Sequence, residues 1–299
     1  MAPQQMTRVS MAQSKLTAFA PAKINLTLSL LGKRRDGYHE LESLVVFADV
    51  GDRLAATPSD DWGLDVNGPF APGLAGENPQ DNLVICAARV VHEWARAKGA
   101  DVSPLRFQLE KKLPVASGIG GGSADAAAAI KLCLQSAGLD TDDDLVSAAA
   151  ALGADIPVCL MGQPAWMGGV GDKLSLAQTP TNIPMVLVNP GIGISTGEIF
   201  QRLNADPVTE QGVKRPDLSS FEGLIEYLES SGNDLEKPAL ELAPVIGIVL
   251  EAIASSDAAI ARMSGSGATC FGIYQTQDEA TIAAEILSAS HPEWWVSSQ

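Results

Sequence analysis

The chain has 299 residues, 46% hydrophobic and 19% charged, which suits a globular protein large enough for two domains. Its 20 Lys and Arg against 36 Asp and Glu leave a net charge of −16. That balance argues against nonspecific nucleic-acid binding, which needs basic patches to displace counterions, but it leaves room for a small anion held by local amides and a few lysines.

The four cysteines, Cys86, Cys133, Cys159 and Cys270, form no CxxC pair and read as buried free thiols of a reducing compartment. The three histidines (His39, His92, His291) have no zinc-finger spacing to them. Residues 1–15 are polar, lack an apolar h-region, and read as a flexible tail rather than a signal peptide, with Met11 as an alternative start. No apolar run of about 18 residues occurs, so no membrane partner is expected and the expected location is cytoplasmic.

Leu16 to Leu31 (LTAFAPAKINLTLSLL) reads as two short strands broken at Pro21. Alternation puts Lys23, Asn25 and Thr27 on one face and Ile24, Leu26 and Leu28 on the other; taken alone, this is an edge strand with a solvated polar face. Asp36-Gly37 signals a hairpin, followed by Tyr38, His39 and an alternating strand from Leu41 to Phe47. An aromatic beside an imidazole at a turn suits recognition of a ring; the alternative is a surface histidine.

Gly51 to Leu64 reads as a further strand and turn, and Pro69 to Asn82 as loop. Asn82 opens an amphipathic helix that Gly99 ends, and Leu105 to Lys111 alternates as a strand. The most informative stretch follows: Leu113 to Ala129, LPVASGIGGGSADAAAA. Its glycines allow positive φ and close backbone approach, Ser123 reads as a cap, and the alanines favour a helix from about Ala124 to Ala137. Exposed amides feeding a helix start make an anion site, most often for phosphate. The competing reading is a flexible turn before a core helix.

Thr141 to Leu152 is expected as a helix with a capping-box-like start at Thr141 and Asp144. Capping accounts for the acidic run Asp142 to Asp144 without a metal. Asp155 stands beside Gly153 and before a short apolar strand, Ile156 to Met161; its carboxylate either caps something or faces a cleft. Gly and Pro become frequent from Gln163, which divides the chain into a tail (1–15), an N-terminal domain (16–163) and a C-terminal domain (164–299). The second part is expected to hold strands at Met185 to Asn189, Ala258 to Met263 and Thr269 to Tyr274. Its helices are expected near Thr196, at Asp217 to Leu228, at Glu241 to Ala254 and at Asp278 to Ser290, with a second glycine turn at Ser264 to Gly267.

The glycine loop is neither a Walker A sequence, since no Lys-Ser or Lys-Thr follows, nor a Rossmann fingerprint, whose spacing it lacks. Protein-kinase HRD and DFG motifs are missing too. Three segments together, APAKINLTL (Ala20 to Leu28), LPVASGIGGGSADAA (Leu113 to Ala127) and RMSGSGATCFG (Arg262 to Gly272), resemble the three motifs of the GHMP small-molecule kinases. DGYHEL (Asp36 to Leu41) and GADIP (Gly153 to Pro157) narrow the resemblance to the branch acting on a cytidine diphosphate-linked methylerythritol. The resemblance covers nearly the whole chain from about Lys15.

That resemblance implies an α+β fold in two domains with the active site in the cleft between them. It implies ATP-dependent phosphorylation, with Mg²⁺, of the 2-hydroxyl of the methylerythritol moiety, in the non-mevalonate route to isoprenoid precursors. By the same resemblance Asp155 would be the catalytic base and Lys23 its partner. ATP would be held by Pro114, Val115, Ala116, Ser117, Gly118, Ile119, Gly120, Gly121, Gly122, Ser123 and Ala124, with Asn82 near the nucleotide. The second substrate would meet Asn25, Tyr38, His39, Thr196 and Phe200, with Tyr38 and His39 toward the cytosine. The chain departs from the family loop at Ala124, where a second hydroxyl is common, which leaves the metal ligands unassigned. Three alternatives stay open: a GHMP kinase for another alcohol such as mevalonate or homoserine, a non-catalytic nucleotide-binding protein with this fold, and a dinucleotide-dependent oxidoreductase. Oligomeric state is not legible.

Overall fold

A computed structural model describes residues 15–35, 37–203 and 215–299. Met11, Asp36 of the hairpin signal and all of the expected tail except Lys15 lie outside the described residues.

The first sheet is seven-stranded and is built on one long strand, β3 (His39–Pro58). β1 (Leu16–Asn25) and β2 (Ser29–Lys33) pair with it antiparallel. Leu41 pairs with Leu30 of β2 and with Gly169 of β6 (Ala165–Gly169), so those strands occupy opposite edges of β3. Ala56 likewise pairs with Leu16 of β1 and Phe107 of β5 (Leu105–Glu110). β4 (Gly63–Asn67) joins β5 in parallel, and β7 (Lys173–Leu176) joins β6. β6 and β7 follow residue 163, where the composition shift falls, yet belong to this sheet.

The sheet packs one face on α1 (Leu83–Ala97), α2 (Gly121–Ala137), α3 (Asp143–Ala150) and α4 (Ile156–Met161), burying Val84, Val91, Phe107, Ala126, Ile130, Leu145 and Val158 in one core. The small second sheet runs in the order β11 (Trp295–Ser298), β8 (Met185–Asn189), β10 (Cys270–Ile273), β9 (Ile260–Met263), all antiparallel. A second core joins the two sheets: Ile24, Leu44 and Val46 pack with Met185, Leu187 and Phe271. α6 (Phe221–Glu229) adds Leu224 and Leu228 to it. The far face of the second sheet is covered by α8 (Val245–Ala254) and α9 (Gln277–Ser290), with α5 (Thr196–Arg202) and α7 (Glu236–Leu242) beside them.

Several expectations are corrected. Pro21 does not break β1, whose irregularity lies between Pro21 (paired with Gly51) and Lys23 (paired with Phe47). Beyond that irregularity the register is regular and the alternation holds, Ile24 and Leu26 entering the core between the sheets, Lys23 lying under the glycine run and Asn25 under the second glycine turn, so both faces are buried and no polar face is solvated. Ile156–Met161 is a helix, not a strand: Pro157 suits its first turn and Gly162, at φ 62°, closes it. Gly51 continues β3 rather than opening a new strand. α3 is capped by Asp142, whose side chain accepts from Leu145 N and from Trp94 Nε1, rather than by Thr141. Glu241 to Ala254 is two helices, because Pro244 interrupts it. α2 begins at Gly121, inside the glycine run, so Ser123 lies within the helix and Gly120 (φ 64°) takes the cap position without a side-chain bond.

Candidate active site

The glycine run is held from three sides. Gly118, at φ 76°, lies against the second glycine turn, where a Cβ would come 2.5 Å from Gly267 N and 2.6 Å from Ser264 O. Ser264 Oγ donates to Gly118 O, and Thr269 N donates to Ser117 O. A Cβ on Gly120 would meet the Lys23 side chain at 3.2 Å, and Lys23 N donates to Ile119 O. On the third side Gly121 abuts Lys111. The first bond within α2 runs from Ala124 N to Gly120 O, so the preceding amides start the helix without intrahelical partners. With the positive end of the helix dipole beside them, they form an anion cradle.

Lys23 and Asp155 meet beside this cradle. Lys23 Nζ lies 2.8 Å from Asp155 Oδ2, with side-chain exposures of 4% and 33%. Asp155 stands at the N-cap of α4 but its side chain makes no capping bond, which leaves the carboxylate to Lys23 and the cleft.

The cleft has a volume of about 1070 Å³ and is lined by both parts of the chain. Lys23, Asn25, Tyr38, His39, Asn82, Asp155, Thr196 and Phe200 all reach it, with Pro114, Val115, Ala116, Ser117, Gly118, Gly120, Gly121, Gly122 and Ser123. Ile119 and Ala124 do not: both side chains are buried in the hydrophobic cores. Ala124 belongs to the core between the first sheet and its helices, so the departure at that position falls on the inner side of α2.

The positions expected to meet substrate differ in their freedom. Asn25 is committed: its Nδ2 donates to Ser43 Oγ at 2.7 Å and its backbone N to Ser264 Oγ at 3.0 Å. Asn82 caps α1, accepting from Val84 N. Thr196 Oγ1 lies 2.8 Å from Ser266 Oγ of the second glycine turn. The His39 and Phe200 rings pack with centroids 5.1 Å apart, and His39 Nε2 is buried without a hydrogen-bond partner. Burial, and then the charge of Lys33, hold the His39 imidazole below its usual pKa and so neutral at pH 7. Tyr38 is 66% exposed beside it.

Sequence reasoning missed other lining residues, among them Leu74, Glu77, Asp81 and Lys111. Asp125 carried a signal, as a charge within an alanine-rich stretch, whereas Lys111 sits between Glu110 and Lys112 and carried none. Lys111 Nζ lies 2.5 Å from Asp52 Oδ2 and 2.6 Å from Asp125 Oδ2, all three residues buried. Burial works against the Lys111 ammonium, but Asp125 and Asp52 outweigh it and hold its pKa above the usual value. Burial pushes the Asp125 carboxyl up to about 7, against the pull of Lys111.

Comparison with known proteins fits this geometry. The description "GHMP kinases N terminal domain" matches residues 82–163, and "GHMP kinases C terminal" matches residues 210–293. The 4-diphosphocytidyl-2-C-methyl-D-erythritol kinase of Parvibaculum lavamentivorans is 50% identical, over 94% of this chain and 96% of its own. The chain belongs to the 4-diphosphocytidyl-2-C-methyl-D-erythritol kinase family of GHMP kinases. The family member from Dinoroseobacter shibae is 46% identical, over 94% of this chain and 93% of its own. A solved 4-(cytidine 5'-diphospho)-2C-methyl-D-erythritol kinase superposes with a TM-score of 0.75 at 32% identity, covering 95% and 98% of the two chains. A homoserine kinase from Cytophaga hutchinsonii, at 18% identity and TM-score 0.69, shares the fold. The α+β GHMP kinase fold is therefore established for this family member, which is a small-molecule kinase.

Proposed function

We propose that this chain transfers the γ-phosphoryl group of ATP to the 2-hydroxyl of 4-diphosphocytidyl-2-C-methyl-D-erythritol, giving the 2-phosphate and ADP. The observation that carries the mechanism is the 2.8 Å contact between Lys23 and Asp155 beside the glycine cradle. Phosphoryl transfer asks a protein chiefly for positioning and charge stabilisation. The amides of Gly118 and Gly120 to Ser123 hold the phosphates. Asp155 accepts the proton of the attacking hydroxyl, and the Lys23 ammonium steadies the negative charge on that oxygen and on the transferring group. His39 and Phe200, with Tyr38, offer aromatic surface to the cytosine. Thr196 borders the same cleft and Asn25 shapes its floor.

Of the side chains lining the cleft, Ser123 and Asp155 offer oxygen donors that would hold Mg²⁺, which would supply neutralisation of phosphate charge. No helix among the described residues is long and apolar enough to cross a membrane, and we place the reaction in the cytoplasm, on small molecules alone.

A coupled ADP-release assay over a panel of alcohols tests the reading. Turnover with the cytidine-linked methylerythritol, and none with mevalonate or homoserine, is the expected result. Turnover with either of those, and none with the cytidine compound, would leave only the GHMP assignment standing.

A further inference from the structure

We infer that Asp125 is a positioning residue for nucleotide binding: through Lys111 it fixes the first turn of α2, and with it the amides of Gly121, Gly122 and Ser123, at a set depth against β3. The inference rests on the kinase reading for its ligand, ATP.

Asp52, on β3, accepts through Oδ1 from the backbone amides of Lys112 (2.6 Å) and Leu113 (2.9 Å) and through Oδ2 from Lys111 Nζ. Asp52 and Lys111 thus form a post anchored in β3 and in the segment after β5. α2 is tied to that post by Asp125 Oδ2. Asp125 stands four residues after Gly121, so it shares a helix face with the first residue of the cradle. A Cβ on Gly121 would come within 3.2 Å of Lys111 Nζ and 3.7 Å of Asp52 Oδ2, so the post presses directly on the helix start.

The second Asp125 oxygen, Oδ1, is buried without a partner. A buried ion pair is a poor device for stability alone, because apolar residues of the same volume do as well or better. What this cluster supplies is a fixed distance between β3 and the start of α2.

The test compares three variants by ATP titration, which reads Kd without regard to the acceptor alcohol, and by the KM of the acceptor. Asp125→Ala cuts the tie and leaves the neutral Asp52–Lys111 pair. It should raise Kd for ATP about tenfold while the acceptor KM stays within about twofold, a split that general destabilisation does not produce. Asp125→Asn keeps an acceptor oxygen in place and should return Kd to within about threefold of wild type. Asp125→Glu keeps the charge but adds a methylene, and should raise Kd several-fold; it carries the test if the Ala variant does not fold. Equal losses in both substrates for Asp125→Ala, or no Asn rescue, or an unchanged Kd in Asp125→Glu, would overturn the inference. Wild-type protein that binds ATP but phosphorylates none of the alcohols would instead sink the kinase reading and leave this comparison intact.

Discussion

Ser264 Oγ donates to the carbonyl of Gly118 across 3.1 Å, joining the second glycine turn to the first. The same oxygen accepts from Asn25 N at 3.0 Å. One hydroxyl therefore links β1, the phosphate loop and the turn between β9 and β10. Ser264→Ala leaves a buried amide and a carbonyl without this partner and should cost about 1–3 kcal/mol by chemical denaturation. Because the released carbonyl belongs to the cradle, ATP affinity should fall as well. A stability loss with unchanged ATP titration would show that the loop holds its shape without Ser264.

Asp155→Asn should lower kcat by about 10²–10⁴-fold while ATP binding stays within about threefold, since the amide keeps the shape and loses the base. Parallel losses in turnover and ATP affinity would assign Asp155 a structural role. Stopped-flow or steady-state ADP release, paired with the titration, separates the outcomes.

Two glycines at similar positive φ give a sharper contrast. Gly138, at φ 65°, ends α2 with nothing within 4 Å of an added Cβ, so Gly138→Ala should cost only about 1–2 kcal/mol of left-handed strain. Gly118→Ala, at φ 76°, adds a clash with backbone atoms at 2.5 to 2.7 Å and should lose ATP binding along with stability. Comparable effects at the two sites would mean the loop yields to admit a side chain.

The contrast shows what the sequence could and could not carry. The glycine run, Lys23, Asp155 and the Tyr38-His39 pair are all legible as residue types at motif spacing, and they reach one cleft. What was not legible depended on long-range packing. Lys23 looked solvent-facing because the segment that covers its face, the glycine run, is about a hundred residues away in the chain. Ile156–Met161 looked like a strand because six apolar residues have too little length to show a helical period. The strands β6 and β7 are short, β6 ends in two glycines, and their place is set by β6 pairing with β3 and β7 with β6 rather than by local propensity. The cluster became visible only in the fold, where Lys111 bridges Asp52 of β3 and Asp125 of α2.

An unfolded chain releases an Asp proton near pH 4, whereas folded Asp125 keeps its proton up to about 7. Between those values the folded state binds more protons than the unfolded one. The Asp125 contribution to stability therefore falls as pH rises from about 4 to about 7, and stays at its least favourable above that window. Asp125→Asn removes this slope. Unfolding free energies at about pH 4.5 and about pH 8 should show the variant gaining on wild type by at least about 1 kcal/mol at the higher pH. A difference independent of pH would mean that Asp125 is ionised throughout.

His39 is held below its usual pKa, so it should recognise the acceptor as a neutral ring. The acceptor KM should stay flat through neutral pH and rise only on the acid side of an ordinary imidazole's titration, where the ring gains its proton. His39→Gln should raise that KM and remove the acid limb. An inflection above pH 7 in the wild-type profile, absent from the variant, would contradict the assignment.

β3 carries His39 at its start, Ser43 a few residues further on and Asp52 in its second half, one rod running past the aromatic side of the cleft, the floor beneath Asn25 and the post under the glycine run. It acts as a ruler. An inserted residue between Ser43 and Asp52 would lengthen the rod by about 3.3 Å and reverse which side chains face inward. The strand can therefore accept many replacements of one side chain by another, but its count of residues is fixed. Any drift in substrate size among relatives would have to be absorbed in the loops at its ends.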